Sequence, residues 1–97
     1  MLFRSGDWHD ALLEAPFDLI FADCAAARTP DTLPALARAL RPGGTLILDD
    51  LTPRARLDAA WHAGDPLRDA VFTHPQLCVS EVQVSSRECV LLATRTT

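Results

Sequence analysis

PFDLIFADCAAARTPDTLPALARALRPGGTLILDD, residues 16–50, decides how the chain folds. Two apolar runs, Phe17–Ala22 and Thr45–Leu48, flank a segment with helix punctuation, and an aspartate follows each run. Only Asp18 interrupts the first run. Neither alternates cleanly, which is the pattern of strands covered on both faces in a parallel sheet. Between them, Pro34 has no backbone N–H and fits a helix only in the first turn, where that donor has no partner. The spacing predicts a helix capped by Asp31, with Leu33, Leu36, Ala37 and Leu40 on one stripe. Arg41-Pro42-Gly43-Gly44 is expected to end that helix and turn the chain back. Strand, helix and parallel strand then form a right-handed crossover that covers one sheet face.

This crossover places three carboxylates. In open parallel sheets, ligands bind outside the carboxyl ends of the strands. Asp23 closes the first strand, and Asp49 and Asp50 close the second. If the two strands are neighbours, about 4.8 Å apart, two or three of these carboxylates share one crevice. Such a cluster must spread, hold a proton, or take up a cation, and all-oxygen donors suit magnesium, calcium or manganese. The same aspartates would equally serve as caps for loops and helices.

Composition narrows the function. Ninety-seven residues make one small domain, 48% apolar, with a formal charge of −4 and a pI near 5.1. That balance argues against a nucleic-acid footprint. All nine basic residues are arginine, so no lysine is available as an amine base or Schiff base. Cys24, Cys78 and Cys89 are widely spaced with no CxxC pair, as expected of reduced thiols in the cytoplasm. No apolar run reaches transmembrane length and the first residues lack a signal-peptide core, so no membrane association is expected.

On either side of the crossover the pattern continues. Met1-Leu2-Phe3 is an apolar stub, too short for a strand standing alone, and Ser5-Gly6-Asp7 is a turn leading into a short helix through Trp8, Leu12 and Leu13. After Asp50, Thr52-Pro53 starts a helix with Leu57, Ala60 and Trp61 on one face, stopped by Gly64. Asp65-Pro66 starts another, ending near Phe72. His62 and His74 have no metal-ligand spacing. Leu77–Val84 and Glu88–Thr94, joined by Ser85-Ser86-Arg87, form a hairpin by pattern.

Taken together, Gly6-Asp7-Trp8, Phe17–Asp23, Arg41-Pro42-Gly43-Gly44, Leu48-Asp49-Asp50 and the closing hairpin resemble the back half of a class I S-adenosylmethionine-dependent methyltransferase. Among these the chain is most similar to the metal-dependent, catechol O-methyltransferase-like enzymes. The likeness spans essentially the whole chain. It implies a truncated, Rossmann-like α/β fold of parallel strands with a carboxyl-terminal antiparallel hairpin, the last strand lying against Thr45–Leu48. It also implies metal ligands at Asp23, Asp49 and Asp50, where the family usually has asparagine at the third position, and a divalent cation such as magnesium. The Gly6-Asp7-Trp8 turn corresponds to the cofactor's adenine seat, with Asp7 accepting from the exocyclic amine and Asp23 beside it.

Two departures from the family bear on activity. Its lysine base falls three residues after the first metal aspartate, where this chain has Ala26; Arg28 is near but stays protonated. The glycine-rich loop and the acidic residue that holds the ribose would both precede Met1. The resemblance therefore implies a fragment, or half of a split enzyme, that is inactive alone and whose parent acts on a small-molecule hydroxyl. The other reading is a non-catalytic binding or assembly module that reuses the fold. Loss of the neighbour to Phe17–Ala22 is expected to expose Leu19, Ile20 and Phe21 at a sheet edge and to drive homo-oligomer formation, most simply a two-fold dimer.

Overall fold

The computed structural model describes residues 2–3, 14–23, 28–51 and 66–97, with Leu2, Phe3 and Asp50 through their backbone alone. The expected crossover is present. Strand β1 is Leu2–Phe3, β2 is Phe17–Ala22, helix α1 is Leu33–Ala39 and β3 is Leu40–Leu51. Strands β2 and β3 run parallel, with Leu19 opposite Thr45, Ile20 opposite Leu46 and Phe21 opposite Ile47.

Helix α1 differs at both ends from the expectation. Its N-cap is Thr32, not Asp31, and Pro34 sits in the first turn. Thr32 closes a small turn with Thr29, accepting from the Thr29 N–H at 3.2 Å and donating to the Thr29 carbonyl at 3.0 Å. Asp31 lies exposed in that turn. At the other end Leu40 has left the helix, with φ −81 and ψ 143. Pro42 disfavours helical geometry at Arg41, so the chain must straighten just before it. Leu40 is still fully buried, but as the strand partner of Phe17.

Arg41-Pro42-Gly43-Gly44 is therefore a bulge within the strand rather than a connector. From Phe17 to Leu19 the first strand advances two residues, while its partner advances five, from Leu40 to Thr45. Gly43 takes a positive φ of 85, which favours glycine. Gly44 is pressed against backbone: a Cβ there would lie 2.9 Å from the carbonyl oxygens of Arg41 and Phe17.

Helix α2, Pro66–Thr73, starts where Asp65-Pro66 predicts. It leads into β4, Leu77–Gln83, and β5, Cys89–Arg95, which pair as an antiparallel hairpin. The sheet order is β1-β2-β3-β5-β4. As the resemblance implies, the last strand lies beside β3, with Leu46 opposite Ala93 and Leu48 opposite Leu91.

Burial is one-sided among the described residues. Ile20, Leu46, Leu48 and Leu91 are fully buried in one cluster with Leu36 of α1 and Val71 of α2. Both described helices thus pack on the same sheet face. On the other face Leu19 is 48% and Leu92 37% exposed, so the expected cover on both faces is not formed by these elements. The expected bare edge is also corrected in part. Leu2 and Phe3 pair with Phe21 and Ala22, and Ile20 points into the core.

The Gly6-Asp7-Trp8 turn with its helix, Cys24, Ala26, and the helix expected from Thr52-Pro53 through Trp61 to Gly64 lie outside the described residues. Among the described residues no helix is long and apolar enough to cross a membrane.

Candidate functional site

The carboxyl ends of β2 and β3 are adjoining, as the parallel register requires. Phe21 is opposite Ile47, and Asp23 and Asp49 each lie two residues further on. Asp23 follows the last residue of β2 and is exposed; Asp49 is half-buried. Asp49 and Asp50 lie inside β3 rather than after it, because pairing with β5 continues to Leu51.

A second bulge makes that possible. Leu48 is opposite Leu91 and Leu51 is opposite Cys89, so β3 spends three residues where β5 spends two. Strict alternation would send Leu51 away from the face that Leu48 occupies. The extra residue returns Leu51 to the core, where it packs against the buried cluster. Two aspartates can then stand between two core leucines. Bulges of this kind re-aim side chains at the ends of sheets.

Arg28 approaches this bulge from the loop that leaves β2. Its Nη1 is 3.5 Å from Asp49 Oδ1, and its Nη2 donates to the Asp49 carbonyl oxygen. The Arg28 side chain is 15% exposed and that of Asp49 37%. One guanidinium thus meets both the carboxylate and the main chain of the same residue. In the sequence the only signal for Arg28 was its nearness to Asp23; its partner stands 21 residues away.

Gly6, Asp7 and Trp8 lie outside the described residues, as does the Asp50 side chain; of the expected set, Asp23 and Asp49 are described, each two residues beyond the paired Phe21 and Ile47. Among the described residues no three His, Cys, Asp or Glu side chains are grouped to hold a metal ion. His74 has a local role, its Nδ1 accepting from the Gln76 N–H at 3.1 Å. A cleft whose described lining is Ala15, Ala35, Arg38 and Ala39 lies towards the opposite end of the strands.

No family model matches the sequence, and no curated protein is significantly similar to it. Solved structures do match. A protein of Klebsiella pneumoniae assigned as an O-methyltransferase superposes with a TM-score of 0.67 over 97% of this chain and 49% of its own, at 21% identity. The chain has the fold of part of a Rossmann-like methyltransferase domain.

The methyltransferase fold recurs in the other matches. The O-methyltransferase from Bacillus cereus, solved in complex with SAH, gives a TM-score of 0.63 at 21% identity, over 95% of this chain and 49% of its own. TomG from Streptomyces achromogenes, an O-methyltransferase involved in tomaymycin synthesis and solved with SAM, gives 0.65 at 20% identity, over 95% and 48%. At these identities the likeness is one of fold. The chain spans about half the length of the solved structures it matches.

Proposed function

We propose that this chain supplies one half of an S-adenosylmethionine-dependent O-methyltransferase whose acceptor is a small-molecule hydroxyl. The observation that carries this reading is the match of nearly the whole chain to about half of each O-methyltransferase structure. The strand ends support it, since Asp23 and Asp49 adjoin where such sheets bind ligands.

In this reading Gly6-Asp7-Trp8 seats the adenine of the cofactor, with Asp7 accepting from its amine. Asp23, Asp49 and Asp50 offer only oxygen donors, the chemistry that fits a hard divalent cation such as magnesium. Such an ion, when bound, orients and acidifies the acceptor hydroxyl for attack on the sulfonium methyl. Ala26 brings no base to the loop, and Arg28 stays protonated. The chain's own part is to hold the acceptor side of the reaction in line. The methionine and ribose ends of the cofactor need the half that this sequence does not match, so activity in this reading requires that half.

Titration with S-adenosylhomocysteine tests this, on the chain alone and mixed with the half of the Bacillus cereus enzyme that it does not match. Saturable binding in the mixture, weakened by Asp7→Ala, is expected. Saturable binding to the chain alone would overturn the division of labour, and a mixture indifferent to Asp7→Ala would remove the adenine seat.

The assembly reading is favoured by one observation, the partly exposed apolar side chains on the sheet face opposite the described helices. Leu19 and Leu92 offer a surface for a second copy of the chain. A homo-oligomer is compatible with either reading.

A further inference from the structure

We infer that Arg28 is a built-in counter-cation for Asp49 that competes with a divalent ion for the same carboxylate. The inference rests on reading Asp23, Asp49 and Asp50 as an ion site, and it concerns what this chain does to that site.

Three features point the same way. The guanidinium makes two contacts to one residue, Nη1 to Oδ1 at 3.5 Å and Nη2 to the carbonyl oxygen. The second contact anchors the side chain to the bulge itself, so the charge is held in place rather than drifting in solvent. Arg28 is also largely buried, 15% exposed, which lessens screening of its attraction to the carboxylate. Finally, a guanidinium keeps its proton at any working pH, so this positive charge is permanent.

An ion that binds Asp49 must then displace Arg28 or share the carboxylate with a cation already there. Either route weakens ion binding. Linkage makes the effect reciprocal: a bound ion would loosen Arg28 and the loop that carries it. Arg28 thus sets how strongly the cluster draws a metal.

Manganese is the probe, followed by calorimetry and by the paramagnetic resonance of the free ion. The chain is compared with Arg28→Gln, Arg28→Lys, Asp49→Asn and the Arg28→Gln/Asp49→Asn double variant. Arg28→Gln should bind manganese roughly tenfold more tightly than the unaltered chain, within the usual span of coupling between two sites. The double variant should lose the gain. Arg28→Lys, which keeps the charge without the fork, should fall between. Equal affinity in the unaltered chain and Arg28→Gln would overturn the inference while leaving the ion site standing. No manganese binding by any variant at millimolar ion would remove both the ion site and the inference. Failure of both Arg28 variants to fold, read by circular dichroism, would make Arg28 a structural anchor and overturn its role as a competitor.

Discussion

Arg68 Nε and Glu81 Oε1 lie 2.9 Å apart between α2 and β4, with the Arg68 side chain only 1% exposed. The contact is a close ion pair without the alignment of a good hydrogen bond. The same guanidinium donates to the Cys89 Sγ at 3.2 Å, so it also reaches β5. A charge buried this deeply is held by its partner rather than by water. Arg68 therefore clamps α2 onto the hairpin and fixes where the helix sits along it.

Removing one partner should be severe. Glu81→Ala removes a close counter-charge from a buried guanidinium and should cost up to about 3–5 kcal/mol, a large share of a small domain's stability. Replacing both partners by apolar residues, Arg68→Met with Glu81→Leu, should recover most of that loss. Urea denaturation of the three proteins decides it, and a single variant as stable as the unaltered chain would deny the clamp.

The two glycines of the first bulge should differ. Gly44→Ala forces a Cβ to within 2.9 Å of two backbone oxygens that belong to the paired strands. Gly43→Ala meets nothing within 4 Å but must hold a φ of 85. The second change should cost about 1 kcal/mol and the first roughly 2 kcal/mol or more. Denaturant midpoints that ranked them in reverse would mean that the bulge can open to admit a side chain.

Cofactor binding by the chain alone should be undetectable. In the proposed reading, the Gly6-Asp7-Trp8 turn would supply only a small part of the contact surface that S-adenosylmethionine needs. A flat calorimetric trace at micromolar cofactor is the expected result, and a saturable one would require two copies to assemble a substitute pocket.

Oligomer formation should respond to Leu19 and not to Ile20. Leu19 is half-exposed on the face opposite the described helices, so Leu19→Lys should shift a dimer towards monomer with little loss of stability. Ile20 is fully buried, and Ile20→Lys should unfold the chain. Sedimentation equilibrium with circular dichroism separates these outcomes. A soluble monomer at high concentration in the unaltered chain would end the oligomer proposal.

The sequence by itself determined the order of elements and the ends of the strands that matter. Pro34 belongs in a first helical turn, and the apolar runs Phe17–Ala22 and Thr45–Leu48 form strands from their own composition. Those are local constraints, so they are legible in one stretch of chain. The pairing of the last strand with β3 came from the likeness to a known fold, and the register bears it out. Tertiary structure alone decided the rest. Pro42 ended the helix locally, but only the pairing with Phe17 made Leu40 a buried strand residue. Among the described residues, both helices fell on one sheet face. The Arg28–Asp49 and Arg68–Cys89 contacts each join residues 21 apart in sequence. Nothing in the local pattern marks an arginine that will be buried. Its partner is chosen only when strands, bulges and helices bring distant groups within reach, and desolvation then makes that partner necessary.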